Sequence, residues 1–224
     1  MGKPFHIAAA LAAALLALSA AGSANPGRAV LRLPIEGGRD AAAPDGWTIR
    51  EWKGRADIAV ADTEIGKAIH LKSASTSTAI YRDIDFDISQ YRYLNWKWKV
   101  ASLPKGGDVR IKNTDDQAAQ IYVIFPKWPV ILNSRLVGYI WDTTAPAGMA
   151  IPSTKTNTTR YIVVESGAKE VGGWRQERRN VHDDYKRLFG EEPHNVGRVT
   201  LMIDSDDTRS RAEAFIGDIY FSKD

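Results

Sequence analysis

Cysteine is absent from this chain of 224 residues. That absence excludes disulfides, thiol nucleophiles and a lipid-modified leader cysteine. Long apolar runs are missing too. None reaches the roughly 18 residues that a membrane-spanning helix needs. A strong charge of one sign is also lacking. There are 30 basic and 27 acidic residues, a formal net charge of +3, and the two signs are interleaved. No basic tract resembles a nucleic-acid-binding arm, so no nucleic-acid partner is expected. Standard catalytic signatures are missing as well. Gly-x-Ser-x-Gly, His-Glu-x-x-His and the phosphate-binding loop do not occur.

What is present begins with a processing signal. Lys3 gives a thin positive start, and Ile7 to Ala21 is apolar, mostly Ala and Leu. Small residues follow, with Ser23-Ala24 before Asn25-Pro26 as a cleavage point. Residues 1–24 therefore read as a secretory signal peptide. The mature protein is expected in the bacterial periplasm or outside the cell, with no transmembrane segment after cleavage. Residues 25–45 are rich in Pro, Gly and Ala and read as an irregular N-terminal segment. Residues 46–224 are long enough for one domain with a real core. Without disulfides, packing alone must hold it.

Period-two alternation dominates that domain. Trp47 to Trp52, Ala56 to Asp62 and Lys67 to Ser73 open the series. Ile80, Ile84, Phe86 and Ile88 share a face, interrupted only by Arg82. Leu94, Trp96, Trp98 and Val100 share another, which argues that both tryptophans pack in the core. Further strands are Gln117 to Phe125, Leu136 to Asp142, Arg160 to Glu165, Arg198 to Asp204 and Ala212 to Phe221. About ten short strands predict an all-β fold, an antiparallel β-sandwich or jelly roll. One short helix is expected near 183–189, capped by Asp183 or Asp184 and closed by Gly190. Pro126 to Arg135 and Thr143 to Asn157 read as long loops, which often carry function on a β scaffold.

Trp174 to Thr208 concentrates the guanidinium, imidazole and carboxylate groups. Arg178, Arg179, His182, Asp183 and Asp184 are its densest part. A planar Arg179 fork suits a carboxylate partner or an acidic sugar. Asp204, Asp206 and Asp207 follow a strand directly and can hold calcium, although a hairpin turn uses the same residues. Asp115 and Asp116 precede the strand that holds Tyr122. Ile121, Val123 and Phe125 point inward there, so Tyr122 faces the other way. Tyr139 and Trp141 share a face that either lines a pocket or closes the sandwich. The candidate ligand contacts are Tyr122, Trp141, Arg179, Asp184, Asp115 and Asp116. If they form one site, Tyr122, Arg179, Asp184 and Asp204 must converge.

Several of these pieces, in order, resemble the bacterial family known as domain of unknown function 3047. They are Trp96-Lys-Trp98-Lys-Val100 with Leu103-Pro104, Asp115-Asp116 before Ala119 to Phe125, and Tyr139-Ile-Trp141. They continue with Arg179-Asn-Val, Asp184-Tyr185, Phe189-Gly190 and Asp204-Ser-Asp-Asp-Thr208. Gln120, Asn180 and Asp207 depart from the family's commoner Arg, Asp and Asn. The resemblance implies an exported bacterial protein and transfers no catalytic residue. Gly217-Asp-Ile-Tyr-Phe221 is similar to the closing strand of galactose-binding-like jelly rolls, an analogy of fold. The expected function is binding of a carbohydrate, glycan or other small polar ligand of the cell envelope. A polysaccharide hydrolase or lyase and a structural envelope protein are the alternatives.

Overall fold

The computed structural model describes residues 30–37 and 43–224, so the expected signal peptide lies outside the described residues. In chain order the strands are β1 (Val30–Arg32), β2 (Thr48–Lys53), β3 (Asp57–Thr63), β4 (Gly66–Ala74) and β5 (Ser77–Phe86). Next come β6 (Tyr93–Ser102), β7 (Ala119–Phe125), β8 (Arg135–Asp142), β9 (Ala150–Pro152) and β10 (Thr159–Ser166). The last are β11 (Arg175–Asn180), β12 (Val196–Asp204) and β13 (Arg211–Ser222). Among the described residues two α-helices interrupt them, α1 (Val130–Asn133) and α2 (Val181–Phe189), with a single 3-10 turn at Lys112–Thr114.

The strands form two sheets. One runs β11-β6-β13-β4-β3, with β1 added against β13. The other runs β2-β5-β12-β7-β8-β10-β9. All pairs are antiparallel except β8 with β10. The fold is therefore the expected β-sandwich, with one parallel pair. The long loops carry more structure than their composition suggested, since α1 and β9 lie inside them.

Period two explains the main core. Leu94, Trp96, Trp98 and Val100 on β6 are all fully buried. Trp98 packs edge-on to Trp96 at 5.3 Å and against Trp141 of the facing sheet at 5.9 Å. Apolar burial on this scale replaces the missing disulfides.

The central strands of the seven-stranded sheet are buried on both faces. Ile121, Val123 and Phe125 enter the main core, while Tyr122 joins a second apolar cluster with Ile140, Tyr161 and Val163. Near-continuous apolar runs on β7, β8 and β10 follow from this double burial.

Helix α2 starts at Val181, two residues earlier than expected. Asn180, not Asp183 or Asp184, is the cap, and its side chain accepts the Asp183 N–H at 3.1 Å. Gly190 ends the helix in the left-handed region, as foreseen. Asp184 is thereby freed for tertiary use. Its carboxylate takes both ends of the Arg179 fork, at 2.7 and 3.0 Å, and the Tyr139 hydroxyl at 3.0 Å. This clasp ties β11, β8 and α2 together.

Removing Arg179 leaves a carboxylate that is nearly inaccessible to water with only the Tyr139 hydroxyl and the more exposed Arg187 as partners. Arg179→Ala is expected to lower the unfolding free energy by about 2 kcal/mol. Urea unfolding measures this, and Arg179→Ala with Asp184→Asn should recover part of the loss. An Arg179→Ala midpoint equal to the wild type would contradict the structural role.

Candidate functional site

Register places one row of side chains across the outer face of the seven-stranded sheet. Tyr81 pairs with Thr200, Thr200 with Tyr122, Tyr122 with Gly138, and Gly138 with Tyr161. Large and small residues alternate along this row. Gly138 is required for close approach rather than for its torsion angles. A Cβ there would lie 2.8 Å from the Tyr161 ring and 3.0 Å from the Tyr122 ring. The two rings meet across it at 6.1 Å.

Above this row lies an open groove of about 550 Å³. Its floor holds Tyr122, Tyr161, Thr200 and Met202, and its walls include Trp52, Tyr81 and Lys155. Trp52 is 58% exposed, with the Arg50 guanidinium 3.9 Å from its ring. Arg198 lies over Tyr81 at 3.8 Å and pairs with Asp83. These stacks steady both aromatic walls.

One end of the groove is polar. Buried Asp204 accepts the Gln117 backbone N–H at 2.7 Å and the Gln120 amide at 3.0 Å. Gln120 in turn accepts the Tyr122 hydroxyl. Asp115 takes the Gln117 amide at 3.0 Å and the Thr154 hydroxyl at 3.4 Å. Lys155 reaches over from the β9–β10 loop. It bonds the Asp115 carbonyl at 3.2 Å and the Asp207 carboxylate at 2.6 Å.

Burial dominates the titration of the acidic groups here. It pushes Asp115 up to about 6, with the Gln117 amide and Lys155 opposing it. It also holds Asp204 well above the usual carboxylate range, with Asp116 and Asp115 adding to the effect. Burial alone would lower the Lys155 ammonium. The Asp207 hydrogen bond and the Asp115 and Asp204 charges outweigh it, and Lys155 is raised. Tyr161 is pushed up to about 12, first by burial.

The expected site residues do not all converge. Tyr122, Asp115 and Asp204 meet at the groove. Arg179 and Asp184 form the clasp beside Tyr139 and are spent on each other. Trp141 is fully buried against Trp98, its indole N–H on the Gly167 carbonyl, so it offers no surface to a ligand. Asp116 is a brace. Its carboxylate accepts the backbone N–H groups of Asp207 and Thr208 at 3.2 and 2.6 Å.

The expected calcium set also changes. Asp116, Asp204 and Asp206 bring carboxylate oxygens within 4.8 Å of one another. Asp207 is turned toward Lys155, and Asp206 pairs with Lys53 at 3.2 Å. Trp52, Tyr81, Tyr161 and Lys155 were not singled out from sequence. Only the register reveals their common face, although Gly138 inside a strand was a readable sign of close packing.

The site is thus a groove on the outer face of a β-sandwich. A family model described as protein of unknown function (DUF3047) matches residues 45–220, and the chain belongs to that family. No curated protein matches it. Among solved structures, it is similar to the family 30 carbohydrate-binding module of the cellulosomal cellulase Cel9D-Cel44B of Clostridium thermocellum. The TM-score is 0.50 at 12% identity, covering 88% of this chain and 98% of that one. A family 11 carbohydrate-binding module from the same organism, in complex with a β-1,3-1,4-mixed-linked tetrasaccharide, gives 0.45 at 7% identity. It covers 86% of this chain and 95% of that one. The family 11 xylanase from Neocallimastix patriciarum gives 0.42 at 12%, covering 80% and 93%. At these identities the likeness concerns the fold.

The raised Asp115 has a measurable consequence. A carboxyl whose folded pKa exceeds its unfolded value favours the folded state at low pH. That contribution is full below the unfolded value of 3.8 and is lost as pH rises through about 6. Asp115→Asn should therefore be more stable than wild type at pH 7.5, by about 1–3 kcal/mol. It should also flatten the stability profile between those two pH values. Denaturant unfolding across that range checks the sign, and an unchanged profile would refute the assignment.

Proposed function

We propose that this protein is exported and binds a carbohydrate in the groove on its seven-stranded sheet. One observation carries the reading: an open groove of about 550 Å³ with aromatic walls and a cluster of polar groups at one end. Sugars present apolar ring faces and a rim of hydroxyls. Aromatic side chains cover the first, and fixed donors and acceptors meet the second. Trp52 and Tyr81 supply the aromatic walls. Asp115 and Asp204 supply two carboxyl groups and Lys155 an ammonium at the polar end.

A hydrolase reading is favoured by one feature, the Asp115 carboxyl held near neutrality at the groove. A general acid needs such a value. Calcium belongs to the same proposal. Held between Asp116, Asp204 and Asp206, it would take oxygen ligands from protein and sugar together.

A glycan array followed by calorimetry tests these readings together. Trp52→Ala and Tyr81→Ala are each expected to weaken the best glycan about tenfold to a hundredfold. Titrations with calcium and with a chelator read the cation's part, and equal affinities would remove calcium. Release of reducing ends, lost in Asp115→Asn, would convert the binder into an enzyme. Absence of binding to every glycan, or full binding by both aromatic variants, would sink the proposal.

A further inference from the structure

The β7–β8 loop holds three apolar side chains out in water. Trp128 is 85% exposed, Val130 52% and Leu132 70%. The loop is tightly built all the same. Asn133 holds the Trp128 carbonyl through its side-chain amide at 2.9 Å, and the Leu132 and Asn133 N–H groups reach the Pro129 carbonyl. Ser134 ties the Val130 carbonyl to the Lys127 N–H. The exposed apolar tip is therefore displayed on a folded support.

The foot of the loop is cationic. Lys127 and Arg135 both pair with Glu191, at 2.8 and 3.3 Å. Arg135 and Arg160 both lie over the Phe189 ring. Lys127 and Arg135 thus share one carboxylate beneath the tip, and Arg160 adds a third cation over the Phe189 ring. The neighbouring Glu192 is engaged elsewhere, with Lys186 and His182.

We propose that this loop is a membrane-contacting tip that inserts Trp128, Val130 and Leu132 into the interface of an anionic lipid bilayer. A convex apolar tip needs a partner that yields to it, and a fluid bilayer does so without a preformed pocket. Tryptophan is suited to the headgroup level. The cationic foot would then lie among lipid phosphates, and the charge complementarity selects an anionic surface. Among the described residues no helix is long and apolar enough to cross a membrane, so the contact is peripheral. The proposal is independent of the groove and stands or falls separately.

Vesicle sedimentation of the full chain tests it. One set of vesicles is phosphatidylcholine alone, and the other adds phosphatidylglycerol. Three proteins are compared: wild type, Trp128→Asp with Leu132→Asp, and Lys127→Gln with Arg135→Gln. All carry the same N-terminal apolar segment, so only the differences between them are read. Thermal melts confirm that each is folded. The aspartate variant is expected to lose about tenfold in partitioning to the anionic vesicles. The glutamine variant should lose its preference for anionic over neutral vesicles. Equal sedimentation of wild type and aspartate variant would overturn the proposal. So would a wild-type dimer in solution that the aspartate variant dissolves, since a second copy would then cover the tip.

Discussion

Strands β7, β8 and β10 carry apolar side chains on both faces, and the architecture of the groove depends on that double packing. The inner face meets the tryptophans of β6 and closes the main core. The outer face builds a second cluster around Tyr122, Ile140, Tyr161 and Val163. Tyr122 and Tyr161 of this cluster lie in the floor of the groove. A sheet packed on one side only would present a solvated, polar outer face there. Gly138 is the point at which the arrangement is most constrained, because two tyrosine rings occupy the space of its missing side chain.

The polar end follows from the same geometry. Asp204 ends β12 where the sheet leaves the core, and its carboxylate gathers the Gln117 backbone and the Gln120 side chain. Asp116 braces the turn after β12. Lys155 then closes the end from the β9–β10 loop. Carboxylates are buried here to organise three chain segments, and two of them remain at the groove wall. The same carboxyl groups that hold these segments together also face the groove, which couples its shape to their protonation.

Much of the fold was legible in the sequence because alternation has a direct physical meaning. Trp96 and Trp98 share a phase with Leu94 and Val100, and all four are buried. The phase of Ile121, Val123 and Phe125 correctly turned Tyr122 outward. The site was legible only in part. Arg179 and Asp184 drew notice as ionisable groups, but their partners lie in each other and in Tyr139, which no spacing shows. Trp141 was placed between pocket and core, and its phase with buried Tyr139 goes with the core. Tyr81, Thr200, Tyr122, Gly138 and Tyr161 come from five strands far apart in sequence. Their row exists only through register, which is set by long-range pairing. Asn180 was passed over as a cap because Asp183 and Asp184 are equally good cap types one turn later.

The central claim is that the outer face of the seven-stranded sheet is where ligand is held. The most direct measurement is amide and indole chemical-shift mapping during titration with the tightest-binding oligosaccharide. The account predicts that shifts concentrate at the Trp52 indole and at the amides of Tyr81, Tyr161, Thr200 and Lys155. Shifts gathered instead on the outer face of the six-stranded sheet, around Lys97, Lys99 and Phe215, would contradict it.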